Sequence, residues 1–398
     1  MLKFEFSKYM DSFINKKECS KLMKRKDEIL EKFNAEKMTG WYKQEVSNEL
    51  LSKIKEISQK IRHDSDVLLV VGIGGSYMGS YALQQLLCPS FKKDKTEVIY
   101  IGTNLSGTYL NEVLDYVEDK EVSVNIISKS GSTLEIKLTY ELIKEFMEKK
   151  YSEEETHKRI IVTTNVTSGY LKEEVDEYGY TSFDMPDEIG GRYSIITPAH
   201  LLPMAVMNLD IDSFLEGYYE GKKYLDDAYS YAVIRNLMYK EGKYIENYSI
   251  YEPKMYYFTE FLKQLFGESE GKDGKGIFPI STVNTRDLHS LGQFLQEGNK
   301  IVFETVLKIN MKDDLVFNNY SLARLNEIVT SSVMDAHYSG EVPNMIIEIE
   351  TNNEKSIGEA IMFFMLAAAF SAYLFDVNPF DQPGVEAYKS IMNERIKF

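Results

Sequence analysis

"DVLLVVGIGGSYMGS" (residues 66–80) joins an apolar, β-branched run to four glycines, and the helix-like "YALQQLL" (81–87) follows. A continuous apolar strand that turns at glycine into a helix is the unit of a parallel sheet covered on both faces. The pattern recurs in "EVIYIG" (97–102), "VSVNIIS" (122–128) and "RIIVTT" (159–164), with "YTSFDM" (180–185) as a fifth strand and "LEIKLTYELIKEFMEKK" (134–150) as an intervening helix. After "GGRYSIITP" (190–198) the chain reads as mostly helical to about residue 267. A sparser strand set follows, "GIFPIS" (276–281), "IVFETVLKI" (301–309) and "NMIIEIE" (344–350), among long helices at roughly 321–338 and 356–375. Residues 1–60 read as helical and highly charged. The expected organisation is a helical segment at 1–60 packed on the core, one α/β domain at 61–195 and a second at 196–398. Two βα-rich halves leave room for a distant duplication.

A chain of 398 residues exceeds the usual single core, which agrees with two domains. Its formal net charge of −16 argues against a nucleic-acid binder, and an anionic substrate would need locally placed cations. The two cysteines, Cys19 and Cys88, show neither metal spacing nor a disulfide framework, which suits a reducing cytoplasm. "MLKFEFSKYMDSFINKKECS" has no apolar core of signal-peptide length. The most apolar segment, "AIMFFMLAAAFSAYLF" (360–375), falls short of the about 20 residues of a membrane span and reads as a buried helix. No membrane association is expected.

The glycine loop suits a phosphate, and the question is which. Gly72 and Gly74 match the start of a dinucleotide fingerprint, but Tyr77 stands at the third glycine, and Thr103 and Asn104 stand where a ribose-binding acid belongs. A P-loop would need Gly-Lys-Ser/Thr, which is absent. What remains is a tight turn offering Ser76 and backbone N–H groups at a helix N-terminus, or a plain βα turn whose glycines only permit positive φ. "IISKSGSTLE" (126–135) adds Ser128, Lys129, Ser130, Ser132 and Thr133 just before another helix. One hydroxyl would serve as an N-cap, so this density favours an anion. In a parallel sheet both loops open at the C-terminal edge, which suggests a small phosphorylated metabolite.

Three further stretches, "EIGGRYSIITP" (188–198), "GESEGK" (267–272) and "NPFDQPGVEAYK" (378–389), carry a resemblance. Together with "GIGGS", "SKSGSTLE" and "RDLHS" (286–290), in that family's order, they resemble the signatures of the glucose-6-phosphate isomerase (phosphoglucose isomerase) family in its compact bacterial form. The resemblance spans about residues 70–389, and the ten-residue "FDQPGVEAYK" is its most specific part. It implies two sugar-isomerase (SIS) domains, each a mainly parallel sheet flanked by helices, and a cytoplasmic homodimer acting in glycolysis and gluconeogenesis. It implies reversible conversion of D-glucose 6-phosphate to D-fructose 6-phosphate through a cis-enediol, with no metal and no cofactor. Substrate contacts are implied for Gly75, Ser76, Ser128, Lys129, Ser130, Thr133, Gly191 and Gln382. Glu268 becomes the base between C2 and C1, Arg192 sits by the reacting carbons, and His289 and Lys389 assist ring opening, with His289 supplied by the neighbouring subunit.

The residues themselves allow this chemistry without selecting it. A carboxylate can shuttle one proton once burial raises its pKa, but Glu268 and Glu270 by themselves read more readily as solvated acids, and only the family pattern separates them. Glu270 stands where many members have asparagine, and its charge is expected to raise the pKa of Glu268. Arg192 can stabilise an enediolate or lie in a surface turn. His63 and His157 read as solvated, His200 and His337 as structural, and His289 as the titrating candidate. Lys389 also reads as a solvated helix lysine. A sugar-phosphate sensor and a nicotinamide-dependent dehydrogenase are the competing functions.

Overall fold

The computed structural model describes residues 1–91, 95–129, 131, 133–311 and 314–396. In chain order the strands are β1 (Leu2–Glu5), β2 (Val67–Val71), β3 (Glu97–Ile101), β4 (Val122–Ile127), β5 (Ile160–Thr164), β6 (Thr181–Asp184), β7 (Ile245–Ile250), β8 (Phe278–Val283), β9 (Val302–Ile309), β10 (Val316–Phe317), β11 (Tyr320–Ser321) and β12 (Asn344–Ile349). The chain forms two compact units. Lys37–Asp212 is the middle unit, and Met1–Glu36 joins Ser213–Phe398 in the flanking unit.

The middle unit holds a five-stranded sheet in the order β3-β2-β4-β5-β6, parallel throughout. β2, β4 and β5 are buried along their whole length, which is why their sequences are mainly apolar, broken only by the small buried polar residues Ser123, Asn125, Thr163 and Thr164. Leu69, Val71, Val124 and Ile126 share a core with Ile136, Tyr140, Ile143 and Met147, the helical stripe of Leu134–Lys150. From β2 the chain first adds β3 on one side, then β4 on the other. The crevice between β2 and β4 is therefore the topological switch point, where open α/β sheets hold ligands beyond their strand C-termini. The loops Gly72–Ser76 and Ser128–Thr133 follow these two strands.

The flanking unit repeats the plan. Its sheet runs β1-β12-β9-β7-β8, with β12, β9, β7 and β8 parallel and β1 antiparallel at the edge. Relabelled by order of appearance, the four parallel strands have the same 4-3-1-2 arrangement as the first four of the middle unit. The helix Glu354–Leu374 forms the core, 94% of its most apolar window being buried. Its composition would pass for a membrane span, and its burial explains that composition instead.

The expected organisation differs from the structure in three places. Residues 1–60 are not one helical segment: Leu2–Glu5 forms β1, and the division at Glu36 and Lys37 sends its two parts to different units. The boundary expected at 195 falls at 212–213, because the helices Asn48–Asp64 and Pro198–Val206 pack together in the middle unit. β7 was missed because Glu246 and Asn247 interrupt its apolar pattern. Both are fully buried: Glu246 pairs with Arg235 (2.7 Å), and the Asn247 side-chain amide donates to Thr282 Oγ1 (3.0 Å) and Glu304 Oε1 (2.7 Å).

Candidate active site

In the middle unit Gly74–Ser76 forms one short turn, with Gly74 at φ +57°. A Cβ on Gly75 would lie 2.2 Å from the carbonyl carbon of Gly191, so two glycines let the "GIGGS" and "GGRY" turns touch backbone to backbone. His200 pins the junction. Its Nδ1 accepts from the Ser80 N–H (3.1 Å), which leaves Nε2–H to donate to Gly75 O (2.8 Å). Ser194 Oγ donates to the same carbonyl at 3.1 Å. Burial pushes the His200 imidazole down to about 4, so it is neutral at physiological pH. Ser76 is half-buried beside this contact. Arg192 is only 5% exposed, which excludes the surface-turn alternative and makes its cation a desolvated one.

The second loop is built around Ser128, which is buried and accepts the Gly131 N–H on Oγ (3.0 Å). Gly131 adopts φ +68°, and a Cβ there would meet Leu171 N at 2.9 Å. The Lys129 ammonium donates to Pro186 O and Asp187 O (3.1 Å each) and pairs with the Asp187 carboxylate at 3.5 Å. The lysine thus ties this loop to the segment leading into Gly190 and Gly191. Thr133 occupies the N-cap of Leu134–Lys150, yet its hydroxyl makes no capping bond. Ser130 and Ser132 lie outside the described residues. Gly75, Ser76, Ser128, Lys129, Thr133, Gly191 and Arg192 therefore gather at one edge of one sheet.

In the flanking unit Glu268 stands half-buried in the last turn of the helix Tyr256–Glu270, its Oε1 accepting from Gln264 Nε2 (3.3 Å). Glu270 is fully buried and pairs with Arg235. Burial pushes the Glu270 carboxyl above the usual carboxylate range, and Arg235 opposes that shift. The expected free charge beside Glu268 is thus a compensated one. Lys272 pairs with Asp381 (3.0 Å), donates to Ser269 O (3.1 Å) and bonds Asn378 O, while Lys275 donates to Phe375 O (3.0 Å). These bonds stitch "GESEGK" to "NPFDQPG", bringing the motifs of Glu268 and Gln382 together. Lys389, on the helix Gly384–Arg395, is exposed and paired with Glu386 (2.9 Å).

His289 lies elsewhere. It is exposed, in the short turn Arg286–His289 after the C-terminal end of β8. The helix of Glu268 starts after β7, runs back about 22 Å and ends where β8 begins, with Gly267 facing Pro279. Glu268 and His289 therefore occupy opposite edges of the same sheet. Among the described residues no group of three His, Cys, Asp or Glu side chains could hold a metal ion.

The profile of the family described as "Phosphoglucose isomerase" matches residues 42–309. The chain belongs to the phosphoglucose isomerase family. Glucose-6-phosphate isomerase of Shouchella clausii is 45% identical, the alignment covering 89% of this chain and 85% of that one. The enzyme of the same name from Caldanaerobacter subterraneus subsp. tengcongensis is 41% identical over 98% and 94% of the two chains. A hypothetical protein from Thermus thermophilus shares the fold at TM-score 0.89 and 21% identity, covering 99% of each chain. A glucose-6-phosphate isomerase from Chlamydia trachomatis shares it at TM-score 0.74 and 21% identity, covering 90% and 77%.

For a member of the phosphoglucose isomerase family, the motif residues were legible, and their supports were not. His200 reads as structural, and its role here is structural, although the sequence does not show that it is Gly75 that it holds. Arg235 was overlooked. Its signal was available: a single arginine inside "AYSYAVIRNLMY", a helix with no clear polar face, is a buried charge in want of partners. His157, expected in solvent, packs its ring against Tyr178 and Tyr180 (5.2 and 5.6 Å), whereas His63 is exposed.

Proposed function

We propose that this member of the phosphoglucose isomerase family interconverts D-glucose 6-phosphate and D-fructose 6-phosphate through a cis-enediol in the cytoplasm. The observation that carries the reading is the pair of loops at the β2/β4 switch point, backed by a desolvated Arg192. Ser76, Ser128, Ser130 and Thr133 hold the phosphate together with N–H groups of the Gly75 turn and the N-terminus of Leu134–Lys150. Lys129 contributes by holding its loop against the Gly191 segment as well as by charge. Glu268 takes the C2 proton and returns it to C1 while the carbonyl moves the other way. Arg192, fixed and charged, stabilises the enediolate oxygen. His289 and Lys389 exchange protons with the ring oxygen and hydroxyl during ring opening, and Gln382 lies along the sugar.

This chemistry moves protons only, so no metal or redox cofactor is required. The placement of Glu268 and His289 at opposite edges of one sheet favours a homodimer in which a second copy supplies His289. A coupled isomerase assay tests the reading. In Glu268→Gln turnover should fall about 100- to 10,000-fold with KM little changed. A near-normal rate would remove Glu268 as the base, and sugar-phosphate binding without turnover by the wild type would favour a sensor.

A further inference from the structure

Arg235, on the helix Leu225–Lys240, is fully buried in the flanking unit. Its Nε donates to Glu246 Oε2 (2.7 Å), and its Nη1 donates to Ser371 Oγ (2.8 Å) and to Glu270. The guanidinium lies 4.1 Å from the ring centroid of Phe266, one turn before Glu270. Glu246, on strand β7, also accepts from Tyr231 (2.5 Å), Thr305 (2.6 Å) and Tyr248 (3.2 Å). One cation thus ties the end of the Glu268 helix to two other helices and to a strand of the sheet.

Physically this is an unfavourable place for such a pair. Glu268 and Glu270 stand in the last turn of a helix, where the dipole opposes negative charge, and Glu270 has lost its water as well. Well-packed apolar side chains hold helices together as firmly as a buried ion pair does. The ion pair adds directional bonds, and those bonds converge on the turn that presents Glu268. Lys272 donates to the carbonyl of the fully buried Ser269 in the same turn.

We propose that Arg235, acting through Glu270, is a positioning residue that holds the Glu268 carboxylate in one orientation toward the sugar. This role rests on Glu268 being the base. The test uses Glu270→Gln, Arg235→Gln and the double variant in the full-length protein, with kcat, KM, exchange of the substrate C2 deuterium into solvent, and thermal melts. Each single change should lower kcat and exchange together, about 10- to 100-fold, with KM within about twofold. The double variant should be no slower than the slower single, since both act through one pair. A folded Glu270→Gln with wild-type kcat overturns the role, as does a rise in KM alone. If Arg235→Gln does not fold, Glu270→Gln decides, because it leaves the Arg235–Glu246 pair in place. Failure of Glu270→Gln to fold overturns the role too, since the pair would then be holding the unit and not the base. Glu268→Gln, run alongside, separates the two readings. If it stays active, the base assignment fails. If it is inactive while Glu270→Gln is normal, only the positioning role fails.

Discussion

A methyl group on Gly75 would stand 2.2 Å from Gly191, and neither backbone can yield, so this glycine serves a contact between two chain segments. That contact is invisible in a linear sequence, where glycines look alike whether they spare room for a phosphate or for another loop. His200 shows the same limit. Its neighbours in sequence carry no motif, yet it closes the junction from Ser80 to Gly75. Its folded value of about 4 lies below the ordinary 6.5. A depressed pKa means that the neutral form stabilises the fold above pH 6.5, and that the contribution is lost as pH falls toward 4. Between pH 7.5 and pH 5 the loss amounts to about 2 kcal/mol. Urea melts of wild type and His200→Gln should show it: glutamine can bond both partners but does not titrate, so its stability should fall less over that range. Equal slopes for the two proteins would refute the assignment.

At the scale of elements, strands buried on both faces were the easiest to read, because β2 is wholly apolar and β4 and β5 keep a β-branched apolar majority around a few small buried polar residues. β1 and β7 failed for opposite reasons. β1 is a short edge strand whose alternating "LKFE" hides among charges, and only its antiparallel seat beside β12 makes it a strand. β7 is central, but its middle is spent on a buried glutamate and asparagine. The loop at 128–133 reads as a ligand-site candidate because its sequence holds more hydroxyls than one helix end can use. Thr133 tests that reading at the level of the helix cap. Its hydroxyl makes no capping bond, so Thr133→Ala should cost well under the about 1 kcal/mol typical of a lost N-cap. It should raise KM for the sugar phosphate about tenfold, with kcat nearly unchanged. Ser106, which does cap its helix through the Tyr109 N–H (3.3 Å), should behave in the reverse way when changed to alanine. A stability loss for Thr133→Ala without a KM effect would make the residue an ordinary cap.

At the scale of the molecule, two sheets that share the order of four parallel strands come from sequences with no visible repeat, a likeness that resides in topology and not in residues. The flanking sheet also sets a constraint on assembly. Its edges are separated by the length of a helix, and Glu268 sits at one edge while His289 sits at the other. If both act on one sugar, each chain offers half of the pair at each end, and a two-fold dimer closes two such sites at once. Complementation measures this. Glu268→Gln and His289→Ala homodimers should each be nearly inactive. After joint unfolding and refolding of equal amounts, about half of the dimers should be mixed. In a mixed dimer one site receives both altered residues and the other receives neither. One site in four is then intact, and about a quarter of wild-type activity should return. Recovery should depend on subunit exchange, so mixing the folded homodimers without unfolding should restore activity only as fast as they dissociate. If refolded mixtures stay at the level of the parents, His289 and Glu268 serve the same chain, and the histidine has no part in a shared site.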